Sequence, residues 1–189
     1  MEKKISLQNM PDDLKNWKSL SEYNKQWYFI SGNIRYVIAE HIAAVNYFHS
    51  LFNWLEPSLV FGDVHKRMVL ILIASIYESV LTNAVNRTRK KEYYGTNILR
   101  SYLSKKKILN EYDYKFEVLI NDCFSARYYN NDWKKYLHNI REVRNWIHIA
   151  KERNDNLKQW FDGETIESLK DKLEDFRRLS EEYFNRNQI

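Results

Sequence analysis

Apolar residues recur at three- and four-residue intervals along most of this chain, and no segment alternates convincingly with period two. That periodicity predicts helices throughout. Pro11-Asp12-Asp13 reads as a helix start, with acidic residues in its first turn. A helix from there to about Ser31 would partly bury Leu14, Trp17, Leu20, Trp27 and Ile30. Gly32-Asn33 predicts a break or kink. A second helix is expected from Ile34 to Leu55, with Val37, Ile38, Ile42, Val45, Phe48, Leu51 and Phe52 as its apolar positions. A loop from Glu56 through Gly62 follows, and Asp63 is the expected N-cap of a third helix ending near Arg89. Its middle, MVLILIASIYESVL, is apolar around most of its circumference, as a central, covered helix should be.

The second half continues the pattern with shorter elements. Gly95-Thr96 opens a short helix to about Lys106, and another is expected from Glu111 to Phe124. A polar, Tyr-rich connection spans Ser125 to Asn131. A helix from Asp132 to Lys151, a polar loop with Gly163, and a last helix from Thr165 to Asn185 complete the chain. The last helix offers Ile166, Leu169, Leu173, Phe176, Leu179 and Tyr183 to a core. The expected fold is all-α, a bundle of six or seven helices around one long apolar helix. A single domain is expected, with residues 1–33 as a helical extension and 34–185 as the bundle core.

Composition supports that class. The 189 residues are 44% hydrophobic and 29% charged, which is a globular balance. With 4 Gly and 2 Pro, the chain lacks the turns that a β sandwich or barrel requires. The formal charge of +5 is compatible with a phosphate-bearing partner without demanding one. A single cysteine, Cys123, excludes an internal disulfide and a cysteine-built zinc site, and is expected as a small buried hydrophobe. The N-terminus has no apolar signal-peptide core. The most apolar run, Met68–Ile76, is shorter than the ~20 residues of a membrane span. A cytoplasmic protein with no membrane partner is the expectation.

The candidate chemistry lies on the helix expected at Asp132–Lys151. Arg141, Arg144, Asn145 and His148 fall at i, i+3, i+4 and i+7, so they share one face. Trp133, Tyr136, Leu137, Ile140, Val143 and Ile147 form the adjacent apolar face. Guanidinium groups offer fixed donor forks for phosphate oxygens, and imidazole exchanges protons near neutrality. The same residues also compose an ordinary solvated helix face. No P-loop, dinucleotide fingerprint, zincin motif or Ser-His-Asp signature is present.

The stretch REVRNWIHI, late in an all-α chain, resembles the signature of the HEPN superfamily (higher eukaryotes and prokaryotes nucleotide-binding domain). The helix around IASIYESVL is similar to the central helix of such domains. Arg144-Asn145 matches the family's Arg-polar pair, with three residues between Arg144 and His148, while Arg141, with six residues between it and His148, matches the family's usual Arg-to-His spacing. Which arginine is functional stays open. The resemblance implies metal-independent cleavage of single-stranded RNA without a cofactor, at a composite site formed by a homodimer. It places Arg141, Arg144, Asn145 and His148 in that site. It also implies a toxin or antiviral defence role, restrained by an antitoxin or regulatory protein. A non-catalytic module of the same fold, binding a nucleotide, RNA or protein, is the alternative expectation. A helical adaptor with aromatic docking faces is a third.

Further candidates surround this motif. Glu78 interrupts the apolar helix, and a buried carboxylate needs a partner. Pairing with a motif arginine would make it a support residue. Solvent at a gap in the bundle is the other option. Basic residues Arg87, Arg89, Lys90 and Lys91, with Lys105, Lys106 and Lys107, could steer RNA, although charge runs at helix ends are commonly just solvated. Tyr93, Tyr94, Tyr128 and Tyr129 could stack on unpaired bases. His41 and His49 lack a third partner for a metal, and His65 and His138 have no partner that sequence can name. No metal site is expected.

Overall fold

The computed structural model describes residues 20–55, 59–89, 103, 114–149 and 155–186. Side chains 55, 59–61, 88, 89 and 147–149 lie outside that description. Among the described residues there are seven helices and no strand. They are α1 Leu20–Gln26, α2 Gly32–Leu55, α3 Leu59–Arg89, α4 Phe116–Ser125, α5 Asn131–Ile149, α6 Asp155–Gly163 and α7 Ile166–Arg186. The fold is all-α, as the hydrophobic periodicity predicts.

Helix α3 is the hub. Val69, Leu70, Ile73, Ala74, Ile76, Tyr77, Val80, Leu81, Ala84 and Val85 are all buried and fill about half of its circumference, and the other half, from Ile71 to Asn86, is half-buried. It packs against α2, α4, α5 and α7. Its stretch Gly62–Arg87 is long and apolar enough to cross a membrane by length and composition, and 61% of an apolar 18-residue segment within it is buried inside the protein. The run Met68–Ile76 is thus the middle of a longer apolar helix than its composition alone indicated. Asp63 is not its N-cap, because α3 already begins at Leu59 and Asp63 stands within it.

Local chemistry explains the boundaries. Gly32 has φ +50, a left-handed conformation that costs glycine little, and it separates α1 and its following turn from α2. Helix α1 ends at Gln26, short of the expected Ser31, and a turn follows. In this turn Ile30 N donates to Trp27 O at 2.9 Å. It drives Trp27, Phe29 and Ile30 into the core, while Leu20 stays exposed. Asn83, buried in α3, fixes the turn by accepting from the Ser31 hydroxyl at 2.6 Å. After α4, Arg127 adopts φ 58 and Tyr128 N donates back to Cys123 O at 2.9 Å, a Schellman-like ending. Asn130 Oδ1 accepts from Trp133 N at 3.0 Å and caps α5. Thr165 and Ser168 cap α7 reciprocally, each side-chain oxygen accepting the other's backbone N–H.

Two expectations about this half are corrected. The loop around Gly163 contains a helix, α6, whose Phe161 is buried against Trp146. Three polar residues, Lys158, Gln159 and Asp162, hide its short apolar face in the sequence. Tyr128 and Tyr129 are not surface stacking groups. They are buried among Phe176, Tyr183 and Phe184, and Tyr129 donates to Ile120 O at 2.7 Å. The left-handed Arg127 reverses the chain and turns both rings inward. The expected helix at Gly95–Lys106 lies outside the described residues, apart from the buried Leu103.

Candidate functional site

Helix α5 carries the motif between α3 and α4. Leu137, Ile140 and Val143 are buried, as the stripe predicts. The arginines border that stripe, and each is met by a different neighbouring helix. Arg144 Nη1 donates to Glu78 Oε2 on α3 at 2.5 Å. Both side chains are about three-quarters covered, at 27% and 28% exposure. The carboxylate that interrupts the apolar helix therefore meets a motif guanidinium. A guanidinium held in this way is oriented, and its other N–H donors remain for a second acceptor.

Arg141 turns to α4. Its Nη1 donates to Glu117 Oε2 at 2.7 Å, and its Nη2 to the neighbouring Glu142 carboxylate. Two carboxylates thus compensate this cation. His138, one turn earlier, places Nε2 3.4 Å from Asn121 Oδ1 on α4. Burial holds its pKa below the ordinary histidine value, helped by the positive charges of Arg141 and Lys134 and opposed by Glu117 and Glu142. Asn145 is half-buried on the same helix. His148 lies on α5, one helical turn beyond Arg144, and its side chain is outside the described residues.

The basic runs divide. Arg87 is buried at 9% exposure, donates Nη1 to Phe29 O, and stacks over Phe184 with its Cζ 5.0 Å from the ring centroid. It is a core anchor rather than an RNA contact. Position 87 follows Val80, Asn83 and Ala84 by seven, four and three residues, so the helix delivers it to the buried face. Arg89 is helical with its side chain outside the description. Lys90, Lys91, Tyr93, Tyr94, Lys105, Lys106 and Lys107 lie outside the described residues.

Two groups escaped the sequence reading. Arg67 on α3 places its Cζ 5.7 Å from the ring centroid of Trp146, inside the motif itself. Its neighbour Lys66 donates to the carbonyls of Phe161 and Asp162 at the C-terminal end of α6. The available signal was a pair of cations set against the apolar run of a buried helix. Elsewhere, His65 is buried and stacks on Phe52 at 4.1 Å between centroids. His49 lies 6.1 Å from His65 and 3.2 Å from Glu167 Oε1. Among the described residues no group of three His, Cys, Asp or Glu side chains is arranged to hold a metal. Cys123 is fully buried, and burial pushes its thiol up, so it offers no thiolate near neutrality.

Comparison with protein-family models, with curated proteins and with solved structures finds no match to this chain.

Proposed function

We propose that this protein is a metal-independent endoribonuclease of HEPN type, acting on single-stranded RNA through a site composed by two copies of the chain. The observation that carries the reading is the Arg144–Glu78 pair. It sets a motif guanidinium in one orientation from the rigid central helix, which is how a charge-stabilising group is preorganised.

The chemistry needs only groups this chain carries. RNA supplies its own nucleophile, the 2′-OH. A neutral His148 accepts the 2′-OH proton as the 2′-oxygen attacks phosphorus. The bond from phosphorus to the 5′-oxygen breaks, and a protonated imidazole delivers a proton to the leaving 5′-oxygen. The products are a 2′,3′-cyclic phosphate and a 5′-hydroxyl. Arg144 or Arg141 neutralises charge on the equatorial oxygens, and Asn145 orients the phosphate or fixes the imidazole tautomer. One motif provides one imidazole from position 148, so a second copy supplies its counterpart. A toxin or defence role under an antitoxin belongs to the same proposal.

A second reading has its own support. Arg141 already holds two carboxylates and Arg144 one, so an incoming phosphate must compete with them. That favours a non-catalytic module that binds RNA, a nucleotide or a protein. Incubation of a long single-stranded RNA in EDTA with wild type and with His148→Ala separates the two. Cleavage by wild type alone, leaving 2′,3′-cyclic ends, is the expected result. Salt-dependent binding without turnover selects the module, and equal cleavage by both proteins removes the motif from the mechanism.

A further inference from the structure

The cations near the C-terminal half of α5 are not equivalent. Arg144 is answered by Glu78, and Arg141 by Glu117 and Glu142. Lys66 is answered by two backbone carbonyls and the Phe161 ring. Arg67 is different. It is half-buried, and its described contact is the face of Trp146 rather than a carboxylate or a carbonyl. Its Nε is buried without a hydrogen-bond partner, as is that of Arg141. The inner edge of the guanidinium is covered by protein while no counter-charge pairs with it. Stacking on an indole offsets only part of that, roughly 0.5–2 kcal/mol. The planar ion is left with its donor edge uncommitted.

We infer that Arg67 is an RNA-binding residue, stacked on Trp146 so that its guanidinium fork receives a backbone phosphate of the single-stranded RNA bound at the α5 motif. This rests on the RNA reading proposed above. Geometry also says which phosphate. Residues 144 and 146 point about 200° apart on a helix, and both reach α3 or its side chains. Glu78, which holds Arg144, stands eleven residues from Arg67 on α3, about 16 Å along the axis, so Arg67 takes a flanking phosphate rather than the reacting one. It is a binding residue whose loss weakens RNA affinity. Position 67 lies eleven residues before Glu78, within about 20° of the same face of α3, so one face of the central helix serves both guanidinium groups.

The test is fluorescence anisotropy with a labelled single-stranded RNA whose 2′-hydroxyls are methylated so that it cannot be cleaved, at several salt concentrations, using full-length protein. Wild type is compared with Arg67→Met, Arg67→Lys and Trp146→Leu, each checked by thermal melting. Arg67→Met keeps an aliphatic stem on the indole and removes the donors. It is expected to bind about 10- to 100-fold more weakly, and to lower the salt slope by about 0.7. Its melting temperature should stay near that of wild type, since the stem still covers the indole and no ion pair is lost. Arg67→Lys should retain the slope and lose affinity, because an ammonium lacks the planar fork. Arg67→Met binding like wild type overturns the assignment of Arg67 and leaves the RNA reading intact. A drop in melting temperature with unchanged affinity makes Arg67 a packing residue and overturns it equally. Wild type that binds no RNA overturns the RNA reading together with this inference.

Discussion

Replacing Arg87 by Met separates a core anchor from an RNA contact. Arg87 is 9% exposed, donates to the Phe29 carbonyl and lies over the Phe184 ring. Methionine keeps most of the apolar stem and removes the charge and the donors. The Phe29 carbonyl, in the turn between α1 and α2, then loses its charged donor. A hydrogen bond to a charged group contributes about 1.5–3 kcal/mol. The lost cation–ring contact adds roughly 0.5–1 kcal/mol. Relief from burying the guanidinium offsets part of this, but the orphaned carbonyl keeps the balance unfavourable. The net expectation is about 1–3 kcal/mol of destabilisation. At roughly 2–4 °C per kcal/mol for a chain of this size, the melting temperature falls by about 2–12 °C. Reversible thermal melts followed by circular dichroism measure it directly, and anisotropy with a labelled RNA runs in parallel. RNA affinity of the folded variant should match wild type. A variant that melts like wild type but has lost RNA affinity would refute the reasoning, and Arg87 would return to the basic patch.

Three other expectations are open to measurement. Glu78→Gln releases Arg144 from its carboxylate; RNA cleavage in EDTA should fall by roughly 10- to 100-fold, while stability changes by about 1 kcal/mol or less, and unchanged cleavage would show that Arg144 needs no positioning. His148→Ala should abolish cleavage with an unchanged melting temperature, and a large fall in melting temperature would assign position 148 to the bundle instead. His65 should contribute to acid sensitivity. Its folded pKa lies below 6.5, chiefly from burial and then from His49, against the opposing Glu167. The fold thus favours the neutral ring, so its stability contribution is complete above about pH 6.5 and declines as pH falls through that value. His41 and His138 are shifted the same way. His65→Phe keeps the stack on Phe52 and removes one titration, so its melting temperature should drop less than that of wild type between about pH 7.5 and about pH 5. Parallel pH profiles for the two proteins would sink this account.

Much of the architecture was legible in residue order, because helix formation is local and burial follows a 3.6-residue period. The pattern located α2, α3, α5 and α7 to within a few residues, and identified α3 as central from its all-round apolar surface. It placed Arg141, Arg144, Asn145 and His148 on one helix, and it singled out Glu78 as a charge in need of a partner. The outcome depended on contacts far apart in sequence. Glu78 found Arg144, 66 residues away, and Arg141 turned instead to Glu117 on α4.

Tertiary structure decided the rest. Whether Arg87 faced solvent or Phe184 depended on where α7 docks, and Tyr128 and Tyr129 were turned inward by a left-handed residue at position 127. The contact of Arg67 with Trp146 joins two helices whose packing no local pattern encodes. The sequence by itself determined which segments are helical and which faces are apolar, since those follow from backbone hydrogen bonding and side-chain spacing along one chain. Only the packed bundle determined which charges are compensated, because an ion's partner is set by proximity in space and by how much water the surrounding helices exclude.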